Sequence, residues 1–406
     1  MLFIGVNWPE PTTAAGTRIM QLLQIFLKAN FEITFCSTAA TSDHSYDLES
    51  LTIAVANIEL NNSSFDDFIS NLQPNMVIFD RFITEEQFGW RVMERAPKAL
   101  RILDTEDLHS LRKVRGELHK KNIPFTADLW LQNTITKREI SSILRCDIAL
   151  IISSFEMEFL SENIPVLAGL LFYFPFVVRP IDPEVSSLYP NFEKRKDFIC
   201  IGNGKHAPNV DAFIWLKHDI WPLITKQLPD SNVYIYGSYL PSQIKQMHKP
   251  SEGFYVAGFT ENLANTFTQA RINLAPIQYG AGLKGKLLDA MRYGTPSITT
   301  AIGAEGFINH LPFNGFIANS AEEIAAKAVA LYTNEASFQQ AQKNGYHLLE
   351  QEFNVDYWAV KLLEAIIDLR HNLDKNRLHN FMGSLLQHNS MQSTKYMSKW
   401  IEAKNS

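Results

Sequence analysis

The chain has few cysteines and no long apolar run. Cys36, Cys146 and Cys200 are the only cysteines in 406 residues, and they stand too far apart to form a metal-ligand spacing. A disulfide framework is thereby excluded. Cys36 and Cys146, in or beside apolar runs, are read as buried thiols of a protein from a reducing cytoplasm. No stretch reaches the roughly 18 apolar residues of a membrane helix. Ala168 to Val178 is the most apolar segment, but it is short and carries Pro175. The start, MLFIGVNW, has neither a basic residue nor a long apolar core, so no signal peptide is expected. A net charge of −6 offers no basic excess and argues against nucleic acid as the main partner. There is no Asp-x-Asp pair, so no metal is called for. Neither Gly5 nor Gly202 opens a complete G-x-G-x-x-G, which counts against a dinucleotide oxidoreductase.

The chain does have ordinary globular composition, 46% apolar and 20% charged, and enough length for two domains. Its densest signal is Leu274 to Gly306, LAPIQYGAGLKGKLLDAMRYGTPSITTAIGAEG. Ile272 to Ile277 is expected as a short strand. A glycine-rich turn, Tyr279 to Lys286, leads into a helix from Lys284 to Tyr293 with Leu287, Leu288 and Met291 on its apolar face. Gly294 is placed to end that helix, Pro296 follows, and Ser297 to Thr300 makes a second, parallel strand. Glycines let a backbone approach a ligand closely, and a helix start aims N–H groups and a positive dipole end at it, which suits phosphate. Lys284 and Lys286 add charge of the right sign. Asp289, one turn deeper, cannot bind phosphate but can accept hydrogen bonds from a sugar diol. Phosphate and diol together describe a nucleotide. The competing reading is a plain glycine-rich turn with solvated lysines.

The first half opens in a similar way. Leu2 to Val6 reads as a strand, followed by a turn containing Gly16 and a helix from Thr17 to Ala29. Gly16 can approach a phosphate or sugar and Arg18 can reach one, against the alternative of a small-residue turn. Residues 38 to 75 look polar and irregular, with weak strand and helix signals. Met76 to Asp80 is a strand, Thr84 to Glu94 a helix, and Leu100 to Leu103 a strand that runs into Asp104-Thr105-Glu106-Asp107-Leu108-His109. Glu106, Asp107 and His109 are the catalytic candidates there, since open α/β sheets bind ligands at the carboxyl ends of strands. A capped helix start explains the acids equally well. Ser110 to Lys121 carries Arg112, Lys113, Arg115, Lys120 and Lys121 against Glu117 alone and is expected to be a solvated helix or mobile loop. Its functional alternative is attraction to an anionic acceptor or acidic membrane surface.

Domain boundaries follow from the same pass. Residues 1–180 form an amino-terminal α/β domain. Residues 181–196 hold prolines and a charge run and read as a linker. Residues 197–353 restart the pattern, with a strand at Asp197 to Ile201, a loop from Gly202 to Asn209 and a helix from Asp211 to Thr225. Lys205 in that loop is a second phosphate candidate. Residues 354–406 are helical and are expected to pack back on the first domain, with a lipid or partner contact as an alternative for the last 35.

These motifs resemble the donor-binding region of the group 1 (family 4) retaining glycosyltransferases. That family carries two glutamates eight positions apart, the second followed by Ala-Met. Asp289-Ala290-Met291 matches the second site conservatively, and Ala281 stands where the first carboxylate belongs; Glu305 in the Gly303–Gly306 turn is a candidate replacement. The resemblance implies an α/β fold of GT-B type, two facing Rossmann-like doubly wound domains with a carboxyl-terminal helix crossing back. It implies transfer of a sugar from a nucleoside diphosphate sugar to an acceptor hydroxyl in glycan or polysaccharide biosynthesis, without metal or other cofactor. Carried over by position, Asp289 would hold the ribose, while Gly282, Leu283 and Lys284 meet the diphosphate. Lys286 and, more loosely, Lys205 would stabilise its departure, Phe259 and Thr260 would hold the base, and Gly16 would sit beside the donor phosphates. The implied partners are a nucleotide-sugar donor and a saccharide or lipid-linked acceptor, at the inner face of a membrane if the contact is peripheral. The rivals are a GT-B nucleotide-sugar epimerase and a non-catalytic sugar-nucleotide-binding scaffold.

Overall fold

The computed structural model describes residues 1–307 and 310–405. The chain divides into two compact units: Met1–Val114, Phe125–Pro175 and Tyr357–Ser406 form the first, and Arg115–Pro124 with Phe176–Asp356 form the second.

Unit 1 is built on a seven-stranded parallel sheet of β1 (Leu2–Gly5), β2 (Thr34–Ser37), β3 (Ala54–Asn57), β4 (Met76–Asp80), β5 (Leu100–Asp104), β6 (Ile148–Ile151) and β7 (Leu171–Tyr173). Their order is β3-β2-β1-β4-β5-β6-β7, so the sheet reverses direction between β1 and β4. β1, β4, β5 and β6 are buried along their whole length and read as apolar runs, as strands covered on both faces must. Residues 38–75 are more regular than expected. β3 lies at the sheet edge and exposes Ala54, Val55 and Asn57, which removes the apolar alternation that would reveal it. The Ser64–Leu72 helix buries only Phe65, Asp66 and Ile69.

The first helix spans Ala14–Lys28, three residues earlier than expected, because Thr13 caps it by accepting the Gly16 N–H at 2.9 Å. Gly16 therefore has a packing reason: a Cβ there would fall 2.0 Å from the Glu10 carbonyl oxygen. Arg18 also has an internal use. Fully buried, it pairs with Asp104 at 3.0 Å and donates to the carbonyls of Phe174 and Pro175. It does not reach outward as a phosphate ligand.

The helices Leu373–His379 and Phe381–Asn405 belong to unit 1. The longer one packs on the helices Arg81–Arg95 and Thr134–Arg145. Arg377 holds Asp147 with two contacts of 2.7 Å. Burial alone would raise the Asp147 carboxyl, but Arg377 and Arg101 keep it below the usual range. Among the described residues no helix is long and apolar enough to cross a membrane.

Unit 2 has a six-stranded parallel sheet of β8 (Lys196–Ile201), β9 (Val233–Tyr236), β10 (Phe254–Gly258), β11 (Ala270–Ala275), β12 (Ser297–Thr299) and β13 (Gly315–Ile317). The order is β10-β9-β8-β11-β12-β13. Arg195, just before β8, is buried and ties the bases of several elements together through Thr295 Oγ1 and the carbonyls of Tyr293, Phe267 and Ala270.

Replacing Arg18 with Met should leave Asp104 buried without its partner and lower unfolding free energy by about 3–5 kcal/mol, read by urea denaturation.

Candidate nucleotide-binding site

In unit 2 the chain winds outward from β8 through β9 to β10, then returns to pair β11 with the other edge of β8. The crevice at such a reversal, outside the carboxyl ends of the strands, is where open α/β sheets take ligands. Two loops flank it, 202–206 after β8 and 276–284 after β11. They are the two stretches singled out for phosphate.

Gly282 has φ +66, a left-handed turn that disfavours any side chain. It turns the chain into the Gly285–Arg292 helix, which has Lys284 as its N-cap and no capping side-chain hydrogen bond. Leu287, Leu288 and Met291 are buried as expected. Gly294 ends the helix with φ +65, its N–H donating to the Met291 carbonyl at 3.1 Å. Lys284 does not project into solvent. It is buried and folds back to donate to the Gly282 carbonyl at 2.8 Å.

Lys286 joins the two loops. Its Nζ donates to Asn209 Oδ1 at 2.7 Å, and Asn209 Nδ2 donates to the Asn203 carbonyl at 3.0 Å. Gly202 makes room for this bridge, since a Cβ there would lie 2.6 Å from the Asn209 side chain. Burial, with Lys284 nearby, lowers the Lys286 ammonium to about 8, against a smaller opposing pull from Cys200. Asp289 is mostly buried, and desolvation raises its carboxyl to about 6, with Arg292 opposing. A carboxylate held in so poorly solvated a place favours a hydrogen-bond donor such as a diol. Lys205 takes another course: its ammonium sits over the Tyr239 ring, 3.6 Å from the centroid.

Phe259 and Thr260 follow β10, two strands away from β8. Phe259 is 52% exposed, so its ring is not core packing. Thr260 Oγ1 lies 2.9 Å from Thr266 Oγ1.

The basic stretch proves partly buried and is not a solvated helix. It forms the His109–Lys120 helix, whose second half belongs to unit 2. Arg115 is buried. Its Nη1 donates to the Gly280 carbonyl at 2.9 Å and to Glu305 at 2.7 Å, and its Nη2 donates to Glu305 at 2.8 Å. One guanidinium thus links the Glu305 carboxylate to the Gly280 carbonyl. Gly116 lets this helix approach, since a Cβ there would fall 2.9 Å from the Tyr279 ring. His119 packs on the same ring at 5.0 Å. Sequence reading took Arg115 for one charge among five; the signal available was Gly116 following it in an otherwise bulky run.

In unit 1 the three candidates after β5 differ in what holds them. Asp107 accepts from Arg112 at 2.6 Å. His109 is engaged too: its Nε2 lies 2.8 Å from Arg112 Nη2, and burial pulls its imidazole down to about 4. A neutral ring whose Nε2 lone pair faces a guanidinium is poorly placed as a general base. Glu106, held on left-handed backbone at φ +64, has a buried Oε1 with no hydrogen-bond partner. Burial raises its carboxyl well above the usual range, with Asp80 and Asp104 adding to this against Arg81 and Arg18.

Residues 195–334 match the family described as Glycosyl transferases group 1. This stretch, about a third of the chain, resembles a group 1 glycosyl transferase domain. It spans β8 to the helix after β13 and so contains both loops of the crevice. A Klebsiella pneumoniae protein described as an uncharacterized 44.6 kDa protein in a cps region is 26% identical over 164 residues, which are 38% of this chain. The match spans only 42% of that protein's length. Among solved structures, the sucrose-phosphate synthase of Thermosynechococcus elongatus has a TM-score of 0.66 at 14% identity, over 91% of this chain and 98% of that one. Anabaena HepE, solved with UDP and glucose, has a TM-score of 0.65 at 11% identity, over 90% of this chain and 98% of its own. At such identities the likeness fixes the fold alone, which is GT-B, an α/β architecture with a parallel sheet in each unit.

Asp289 gives this region a pH signature. Asp289 binds its proton more tightly folded, at about 6, than at its ordinary 3.8. Its contribution therefore favours the folded state at low pH and is lost as pH rises toward 6. Asp289→Asn should abolish that part of the slope and leave the protein at least as stable as wild type near neutrality, as read by urea melts across the range.

Proposed function

We propose that the protein is a retaining glycosyltransferase that moves a sugar from a nucleoside diphosphate sugar to an acceptor hydroxyl, without a metal. The observation that carries this reading is the Asn209–Lys286 bridge. It brings the two loops of the matched region together around a half-buried cation, one turn from a carboxylate. HepE, solved with UDP and glucose, supports a donor of this class, and the relative from a cps region supports a place in glycan biosynthesis.

In this reading the diphosphate lies on the uncapped start of the Gly285–Arg292 helix, and Asp289 accepts hydrogen bonds from the ribose. Phe259 packs on the base, with Thr260 beside it. The acceptor oxygen forms its bond to the anomeric carbon on the face that the phosphate leaves. The electron pair of the breaking bond goes to the diphosphate oxygen, and the acceptor proton passes to a phosphate oxygen. Lys286 and the helix start stabilise the charge that develops, a form of electrostatic catalysis. Glu305, held by Arg115, supplies the carboxylate that position 281 lacks and accepts hydrogen bonds from the donor sugar. Glu106 is the acid–base candidate of unit 1. Lys205 has only a lesser role, because its charge already lies over Tyr239. The acceptor is a saccharide hydroxyl, free or lipid-linked.

A nucleoside diphosphate at 100 times its dissociation constant should stabilise the fold by about 2.7 kcal/mol. A thermal-shift panel of nucleoside diphosphates should show this for one base, with the effect lost in Asp289→Ala; no shift with any of them would sink the nucleotide reading. Affinity should fall below about pH 6 as Asp289 protonates and above about 8 as Lys286 loses its charge. With a competent acceptor, Lys286→Ala should lower kcat by about 10²–10³ while the variant still binds the nucleoside. Glu305→Gln should weaken the nucleotide sugar but not the bare diphosphate. Binding without turnover over a broad acceptor panel would favour the scaffold reading, and sugar isomerisation without acceptor would favour the epimerase.

A further inference from the structure

The helix Phe381–Asn405 has two faces with different tasks. Its inner face holds it to unit 1 through small and polar groups. Gly383 closes on the Leu144 carbonyl, where a Cβ would fall 2.1 Å away, and Gln387 donates to the Arg145 carbonyl at 2.9 Å. Met391 and Ser398 are buried. Ser398 accepts from Arg91, and Lys395 pairs with Glu94. The opposite face is exposed, and the partners of its side chains lie within the same helix: Lys404 sits over the Trp400 ring at 5.3 Å, and His388 Nδ1 lies 3.1 Å from Asn389 Oδ1. Phe381, Leu385, Asn389, Gln392, Tyr396 and Trp400 follow at steps of three or four and form one continuous stripe. Phe381 is 66% exposed, Tyr396 64% and Trp400 59%. The helix is held by one face, so the aromatic residues on the other are not needed to keep it in place.

We propose that this stripe is a docking surface for an anionic phospholipid bilayer, with the helix lying flat in the headgroup layer. Two observations choose that occupant. The first is charge. Residues 371–406 carry five lysines and arginines against Asp374 and Glu402, in a chain whose net charge is −6. Arg377 and Lys395 pair with carboxylates within the unit, while Lys375, Lys399 and Lys404 are exposed without a carboxylate, Lys404 lying over the Trp400 ring. Such cations are attracted to anionic lipid. The second is the order of chemistry along the stripe. A protein interface is apolar at its centre and polar at its rim. Here the amides Asn389 and Gln392 occupy the centre, and the apolar and aromatic groups stand at the two ends. A hydrated headgroup layer accepts both, and Tyr and Trp are the side chains it favours. The helix is 25 residues long, about 37 Å, and far too polar to cross. This proposal does not rest on the nucleotide site, because the stripe lies wholly on the carboxyl-terminal helix of unit 1.

The test is co-sedimentation of the full chain with vesicles of phosphatidylcholine, with and without phosphatidylglycerol. The wild type should bind the anionic vesicles, bind pure phosphatidylcholine weakly, and be released by salt. The triple variant Phe381→Ser, Leu385→Ser, Trp400→Ser should bind the anionic vesicles about tenfold less tightly. Lys399→Ser and Lys404→Ser should each cost about fivefold. All five side chains are exposed, so melting temperatures and nucleoside diphosphate shifts should stay at wild-type values, which separates failure here from failure of the nucleotide reading. Absence of wild-type binding to anionic vesicles would overturn the proposal, and so would equal binding to both vesicle types. A wild-type dimer by light scattering that the triple variant converts to monomer would also overturn it, because the occupant would then be a second copy.

Discussion

The pairing of β11 with β8 is the constraint on which the candidate site depends. In chain order β11 follows β10, yet it lies on the far side of β8, two strands back. That placement sets the loop after β8 against the loop after β11. Gly202 leaves space for Asn209, and Asn209 carries the link to Lys286. If β11 were paired with β10, the two glycine-bearing loops would stand three strands apart and neither could complete a phosphate site.

Both units place arginines where they bind other groups internally, whereas Lys286 of unit 2 rests on an amide. Arg18 holds Asp104 and two carbonyls, Arg195 gathers the ends of several elements, and Arg377 holds Asp147. A guanidinium stays charged and presents its donors as a rigid fork, which suits such internal clamps. An ammonium is a compact charge whose pKa responds to burial. Lys286, drawn down to about 8, rests on a neutral amide and not on a carboxylate. A phosphate can displace Asn209 from it without breaking an ion pair. Lys284 and Lys205, equally promising by sequence, are already turned onto a carbonyl and an aromatic ring.

The Arg115–Glu305 pair ties two loops of unit 2 to the helix that carries Arg115. Position 281 is Ala; the guanidinium of Arg115, from a different helix, binds both the neighbouring Gly280 carbonyl and the Glu305 carboxylate. Buried as the pair is, its two charges need one another, and the Gly280 carbonyl gives the guanidinium a further acceptor.

The sequence by itself determined the two α/β halves, the glycine turn with its helix, and Asp289 as the deeper carboxylate. Those features rest on local physics: apolar strand runs, a left-handed glycine at 282, a helix stop at Gly294. It carries only weak signals of β3 and the Ser64–Leu72 helix, because an exposed edge strand and a helix that buries only three side chains leave almost no apolar period. Only the tertiary structure decided which charges remain for a ligand. Arg18, Arg112 and Lys205 look alike in a sequence, but their partners, Asp104, Asp107 and Tyr239, are brought to them by chain distant from them or folded back on them. The strength of an ion pair or a buried cation depends on distance and solvent exclusion, and neither quantity exists until separate strands and helices have packed.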